Sequence, residues 1–395
     1  MPQPKITYID QVDIKNKKVL LRVDFNVSLH PDRTIADDAR ITQTLPTIKW
    51  LLKNNNKLII ISYLDRPEKR DPKLSLKIVA KKLNEYLPKF NINVVNDFLS
   101  DKSSLGQQKD NQILFIENIR FYPQEKKNEK GFAKKLAELA DLYVNDAFGV
   151  CHRTEASIVG VPHYLPSYGG LLLKKEIETI SKTIKKPKKP FVAIIGGAKI
   201  ETKINLIGKL TEMADYVLVG GGLANTFLCA HGYEIGKSFC EYEKVVKARQ
   251  LLFLAAQKHT AIVLPSDVVI GDPGNSENGG TVVKVNQIPK GAVALDIGPE
   301  TKAKFGAIIA KAKTIIWNGP LGYFENPAFR RGTDFVYYAI AHNHEVTSIV
   351  GGGDTLSAIS NKEYLGKITH VSTGGGAMLE FIEKGTLPGI EALKK

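Results

Sequence analysis

FVAIIGG at residues 191–197 runs five apolar residues straight into paired glycines, and YVLVGGG at 216–222 repeats the pattern. A run that is apolar at every position reads as a strand buried on both faces, which belongs in a parallel sheet covered by helices. Outward from this pair the same kind of run recurs. Before it come VLLRVDF (19–25), KLIIISY (57–63), INVVNDF (92–98), QILFIENIRF (112–121) and LYVNDAF (142–148). After it come TAIVLPSD (260–267), AVALDIG (292–298), TIIWNGP (314–320), SIVGGG (348–353) and THVSTGGG (369–376). The stretches between are longer and amphipathic. Ile41, Leu45, Ile48 and Leu52 fall at i, i+4, i+7 and i+11, one face of a helix, and Pro46 inside that pattern is expected to kink or split it. Strands alternating with helices give an α/β fold with two doubly wound parallel-sheet domains joined by a hinge helix.

The chain's 395 residues suit two domains, each with room for a substantial core. Apolar residues at 43% and charged residues at 24% exclude a mainly disordered chain. The 55 basic and 41 acidic residues leave a net charge of +14, which favours anionic partners. Cys151, Cys229 and Cys240 are odd in number and widely spread, with neither a disulfide framework nor a zinc spacing, as expected in a reducing cytoplasm. The opening MPQPKITYID lacks the apolar core of a secretory leader, and runs such as Leu58–Ile61 are far below the roughly 20 residues that span a bilayer, so no membrane role is expected.

The expected division is residues 1–170, an interdomain helix and linker over 171–190, and a second domain over 191–377, with 378–395 returning to the first. The junction runs from LPSYGG (165–170) through LLLKKEIETISKTI to KKPKKP (185–190), which reads as a solvated linker. Ligands of open α/β sheets lie at the carboxyl ends of the strands. In the second half those ends are glycine, at Gly196-Gly197, Gly220 to Gly222, Gly298, Gly319, Gly351 to Gly353 and Gly374 to Gly376. One such pair is a tight turn. The full set points to a phosphorylated ligand approached by backbone N–H groups. The first half carries Arg22, Asp24, Asn26, Arg66, Arg120, His152 and Arg153 at or beyond its strand ends, and Arg40 opens a helix. Arginines that do not merely pair locally (Arg40 with Asp37 or Asp38, Arg66 with Asp65 or Glu68, Arg153 with Glu155) suit a multiply charged anion.

A nucleotide-type half and an anion-clamping half imply transfer between two bound substrates. Neither a Walker A motif, a protein-kinase HRD…DFG set, an intact G-x-G-x-x-G at a strand end nor G-x-S-x-G is present, which leaves phosphoryl transfer by positioning and electrostatics. Lys199 and Lys203 in GGAKIETK fall at i and i+4 of an expected helix, where like charges cost about 0.2–0.5 kcal/mol unless an anion lies between them. Relief by Glu201 or solvent is the alternative. Asp354 or Thr355 is the expected helix N-cap in GGGDTLSAI, and Asp354 could also hold Mg²⁺. Glu325 either accepts from a ribose hydroxyl or sits on the surface.

RVDFN, the DARI arginine, ENIRF, VNDAFG with CHR, GGAKIETKI, WNGPLGYFE, IVGGGDT and HVSTGGGA stand in the order found in phosphoglycerate kinases, and the chain resembles that family from about residue 8 to about 390. The resemblance implies a two-lobed cytoplasmic monomer that exchanges a phosphoryl group between 1,3-bisphosphoglycerate and ADP, giving 3-phosphoglycerate and ATP with Mg²⁺. It implies a triose set of Asp24, Phe25, Asn26, Arg40, Tyr63, Leu64, Asp65, Arg66, Arg120 and Arg153. Arg40 and Lys199 would stabilise the phosphoryl group in flight. The nucleotide set would be Gly197, Lys199, Lys203, Gly221, Gly298, Asn318, Glu325, Gly352, Gly353, Asp354 and Thr355, with Asp354 near the metal. Lobe closure about 165–190 would bring the substrates together and exclude water.

The chain departs from that family at SYLDRP (62–67), where SHLGRP is common. Tyr63 cannot become cationic near neutral pH, and Asp65 adds negative charge, so weaker triose binding is expected. Glu155 stands near a position that often carries histidine or glutamine. A kinase of another small acid and a nucleic-acid-binding protein are the rival readings. No helix-turn-helix, RNP aromatics or zinc knuckle supports the second, so nucleic acid is not an expected partner.

Overall fold

The structure, a computed structural model, describes residues 5–274, 279–359 and 361–394. The first four residues and the last, which the expected domain limits include, lie outside the described residues. By contacts the chain divides into Met1–Glu178 with Thr386–Lys395, and Thr179–Gly385. The first division falls inside the helix Leu171–Lys185, whose start is fixed where the Leu171 N–H donates to Thr47 Oγ1 at 2.9 Å and the Leu173 N–H to Asp146 Oδ1 at 3.0 Å. The returning segment begins at Thr386 rather than Met378, because the helix Gly375–Lys384 buries Met378, Phe381 and Ile382 and packs on Ile204–Thr211 of the second unit. From there the Gly389 N–H donates to the Cys151 carbonyl at 2.8 Å.

In the first unit Lys18–Arg22 (β1), Lys57–Ile61 (β2), Asn91–Val95 (β3), Gln112–Ile116 (β4), Leu142–Asn145 (β5) and Ser167–Gly169 (β6) form a parallel sheet in the order β3-β4-β2-β1-β5-β6. Val19 to Leu21, Leu58 to Ile61 and Ile113 to Ile116 have no exposed surface, as continuous apolar runs require. The helix Ala39–Lys53 is one unbroken element despite Pro46. Proline removes one backbone bond at about 3 kcal/mol. Burial of Ile41, Leu45, Ile48 and Leu51 on one face outweighs that loss. Leu51, rather than Leu52, completes the buried stripe.

The second unit holds Phe191–Ile195 (β7), Tyr216–Val219 (β8) and Ala261–Val263 (β9), then Asp267–Gly271 (β10), Thr281–Lys284 (β11) and Val293–Ile297 (β12), and finally Thr314–Asn318 (β13), Thr347–Gly351 (β14) and His370–Ser372 (β15). Six of these form a second parallel sheet, β15-β14-β13-β7-β8-β9. The AVALDIG strand lies elsewhere. β12 pairs antiparallel with β10, which pairs antiparallel with β11, over a small cluster of Leu228, Ile235, Val268, Val285 and Ile288. Its half-buried residues show the difference, since a short apolar run does not specify its partner.

Strand order locates each unit's crevice. From β1 the chain builds outward through β2, then β5 lands on β1's other side; from β7 it builds through β8 and β9, then β13 lands on β7's other side. The switch points therefore lie between β1 and β5, and between β7 and β13.

Candidate active site

At the first switch point the chain leaves β1 through Arg22, Asp24 and Asn26. Arg40, in the first turn of its helix, donates from Nη1 to Asp24 Oδ1 at 2.7 Å. The nearby Asp38 is engaged elsewhere, its Oδ2 accepting from the Tyr86 hydroxyl at 2.5 Å. Asp24 is almost fully buried, and its charge holds Arg40 charged more firmly than usual, against the opposing effect of burial. One arm of the fork is thus tethered while the side chain stays partly exposed.

Tyr63 is 4% exposed, and burial first, then Asp24, pushes its phenol up to about 12. The Arg120 guanidinium lies over its ring at 3.7 Å from the centroid and the Arg22 guanidinium at 5.5 Å. A neutral aromatic can support two cations where an imidazolium would repel them. Arg120 also donates to the Asp65 carbonyl at 2.8 Å, and the Asp65 N–H donates to Asn26 Oδ1 at 2.7 Å. Asp65 sits at φ 58°, a left-handed conformation that glycine adopts freely and Asp at modest cost. Its side chain is exposed and makes no ion pair among the described residues, nor does that of Arg66. Arg153 meets Glu155 at 3.8 Å. Phe25 and Leu64 are core side chains, with the Phe25 N–H donating to Ser62 Oγ and the Leu64 carbonyl accepting from Asn118.

Beneath this cluster Arg22 donates from Nε to Ser157 Oγ at 2.8 Å, and the Ser157 N–H donates to Glu125 Oε2 at 3.0 Å. Glu125 has no exposed surface, and burial raises its carboxyl to about 7, with Arg22 opposing the shift. Between the unfolded value near 4.5 and about 7 the folded chain binds the extra proton, so stability falls as pH rises through that window. Glu125→Gln, which imitates the protonated acid, should match wild type in melting temperature at pH 5 and exceed it at pH 8. The gain at pH 8 should be roughly 2–3 kcal/mol. A difference that stays constant with pH would show that Glu125 is ionised throughout.

At the second switch point the ends of β7 and β13 are laced together. The Gly196 N–H donates to the Asn318 carbonyl at 2.9 Å and the Gly197 N–H to the Pro320 carbonyl at 2.8 Å. Asn318 Nδ2 donates to the Gly351 carbonyl at 2.7 Å, and Thr355 Oγ1 accepts from the Gly319 N–H at 2.7 Å while donating to Gly351 at 3.0 Å. Asn318 and Thr355 therefore fasten three strand ends. The N-cap of the helix Gly353–Ala358 is Gly352, at φ 116°, rather than Asp354 or Thr355, because Thr355 is occupied across the sheet.

Lys199 and Lys203 do not share a helix. The helix begins at Ile204, and the preceding turn is held by the Glu241 carboxylate, which accepts from the Ile200 and Glu201 N–H groups. Lys199 projects into solvent while Glu201 pairs with Lys244 at 2.8 Å. The Lys203 ammonium donates to the Gly196 carbonyl, and burial lowers its pKa to about 8 against the opposing pull of Asp354.

Beside these ends opens a cavity of about 300 Å³ that gathers Gly197, Gly221, Glu325 and Asp354. Leu228, Phe239 and Leu321 supply apolar walls, and Asn225 and Asp296 lie among them. This is the composition expected of a small-molecule site, greasy with a few polar fixtures. Asn225, Leu228, Phe239 and Asp296 were not marked in the sequence because a side chain lining a wall carries no local motif. Tyr323 and Phe324 also line it, and their place within WNGPLGYFE was a usable signal. Gly298 is not part of the lining; a methyl there would stand 2.3 Å from the Asp267 carboxylate, which accounts for the glycine.

Comparison with known proteins follows the same lines. The family model described as "Phosphoglycerate kinase" matches residues 9–385. A phosphoglycerate kinase of Moorella thermoacetica is 47% identical over 392 residues, covering 98% of this chain and 99% of that protein. One from Nicotiana tabacum, named as cytosolic, is 42% identical over 390 residues, covering 98% and 97%. The solved structure of phosphoglycerate kinase from Coxiella burnetii aligns with a TM-score of 0.85 at 38% identity, covering 98% of each chain.

Proposed function

The chain belongs to the phosphoglycerate kinase family, and from that premise we propose how its residues divide the work. The reaction is reversible phosphoryl transfer in glycolysis: a terminal oxygen of ADP attacks the acyl phosphate of 1,3-bisphosphoglycerate, the bond to the carboxyl oxygen breaks, and 3-phosphoglycerate and ATP leave. The observation that carries the division is the contrast between the two switch points: arginines at one, a glycine-edged cavity at the other.

In this reading Asp24, Asn26, Arg40, Tyr63, Asp65, Arg66, Arg120 and Arg153 form the triose site, with Phe25 and Leu64 acting through backbone position. Gly197, Gly221, Glu325 and Asp354 edge the nucleotide cavity, and Lys203 meets a phosphate. Asn318, Gly352, Gly353 and Thr355 shape the strand ends around it. Arg40 and Lys199 neutralise charge on the migrating group, a task for which an arginine fork and a mobile lysine are suited. The helix Leu171–Lys185 is the proposed hinge, and small-angle scattering should show compaction only when both substrates are bound.

Asp354 is exposed beside the cavity, which fits Mg²⁺ held mostly by substrate phosphates and one carboxylate. Among the described residues no group of three or more His, Cys, Asp or Glu could hold a metal by itself. When bound, the ion would supply charge neutralisation between the phosphates. No helix of the described residues is long and apolar enough to cross a membrane. A cytoplasmic monomer is the accompanying reading, checked by sedimentation.

A coupled assay with ATP and 3-phosphoglycerate tests the reading directly. Within it, Tyr63→His with Asp65→Gly should lower the Michaelis constant for 3-phosphoglycerate several-fold and leave that for ATP unchanged. Removing the Asp65 charge favours the anion, and a neutral imidazole beside the two arginines can still donate a hydrogen bond to it. An unaltered constant for 3-phosphoglycerate would refute this account of the loop.

A further inference from the structure

The arginine cluster encloses an acid that the mechanism above does not use. Glu155 is 4% exposed. Its Oε1 lies 3.0 Å from Arg120 Nη2 and 3.8 Å from Arg153 Nη1, and its Oε2 lies 4.0 Å from Arg22 Nη2. Burying a carboxylate so far from water is costly unless it is paired in this way. It stands just before the π-helical turn Ala156–Gly160, which seats Ser157 under Arg22. The two oxygens of Glu155 thus present to three guanidinium groups what a ligand carboxylate or phosphate would present.

The remaining donors show which arginines stay available. Arg22 is fully buried, with Nε committed to Ser157. Arg120 is committed to Glu155, to the Asp65 carbonyl and to the face of Tyr63. Arg40, Arg66 and Arg153 retain exposed surface. At the inner corner Arg22 Nη2 and Glu155 Oε2 face each other across 4.0 Å, and neither atom is hydrogen-bonded. That corner has donor capacity to spare, and an anion already stands in it.

We propose that Glu155 is a specificity-determining residue: a resident carboxylate that fills the inner corner of the cluster and keeps small inorganic oxyanions out, so that Arg40, Arg66 and Arg153 take up the substrate's charge while Arg120, held by Glu155, shapes the triose site around it. The proposal rests on the assignment of this cluster to phosphoglycerate. The residue acts through the arginines and touches no reacting atom.

Glu155→Gln keeps the volume and one acceptor for Arg120 while removing the charge. Inorganic sulfate, titrated calorimetrically, should bind this variant tighter than wild type by on the order of tenfold, the effect of deleting one like charge a few ångströms away. Its inhibition constant against 3-phosphoglycerate should fall in parallel, with the Michaelis constant for ATP unmoved. Equal or weaker sulfate binding by a folded Glu155→Gln overturns the proposal. Glu155→Asp, which keeps the charge, should exclude sulfate as wild type does. If Glu155→Asp admits sulfate as readily as Glu155→Gln, size rather than charge closes the corner and the proposal fails. The titration needs no turnover, so absence of 3-phosphoglycerate kinase activity in wild type would overturn the functional reading, while the sulfate comparison would still decide the role of Glu155.

Discussion

Arg40→Ala should lower kcat by about a thousandfold or more, the range found when a guanidinium that stabilises a migrating phosphoryl group is lost. That corresponds to roughly 4 kcal/mol of transition-state stabilisation. The geometry explains why so much rests on one side chain. Asp24 Oδ1 holds the guanidinium from behind while part of it stays exposed. A donor fixed in advance spends nothing on reorganisation when charge develops beside it. The Michaelis constant for ATP should be nearly unchanged, since the cavity proposed for the nucleotide is lined entirely by residues of the second unit. Arg40→Lys separates charge from shape: it restores a cation without the planar fork and should recover only part of the loss. A folded Arg40→Ala enzyme within tenfold of wild type would remove Arg40 from the chemistry.

Gly319→Ala should abolish ADP binding and destabilise the second unit by 3 kcal/mol or more, on the order expected of a methyl forced into close-packed backbone plus left-handed strain. Gly319 has φ 91°, and an added methyl would stand 2.2 Å from the Gly196 carbonyl oxygen and 2.6 Å from Lys203 Nζ. Neither neighbour has room to yield. Gly196 is tied to Asn318, and the Lys203 ammonium is already bonded to the Gly196 carbonyl. Relief requires parting β7 from β13, which would undo the switch point itself. Thermal denaturation with and without ADP measures both effects. A variant that melts within about 2 °C of wild type and binds ADP normally would mean that the strand ends are plastic.

The backbone framework of this candidate site was partly legible in the sequence, and the reason differs between the units. The glycine ends could be read because a positive φ or a close backbone approach admits almost no other residue, as at Gly197, Gly221, Gly319 and Gly352. The arginines could be read as a set but not as a network. Arg40 finds Asp24 across 16 residues and Arg120 finds Glu155 across 35, pairings that no local rule proposes. The expected turn of helix linking Lys199 to Lys203 failed for the same cause, since the Glu241 carboxylate holds that backbone from 40 or so residues away.

Composition and pattern determined that this chain builds two parallel sheets, because a residue's wish to leave water is written in its own side chain and needs no partner to be counted. Tertiary structure decided the rest. It set which strand joined the small antiparallel sheet, whether Pro46 broke its helix, and that Glu155 lies among three arginines. Pairing, register and charge balance are properties of two or more segments at once, and their energies exist only after the chain has brought those segments together.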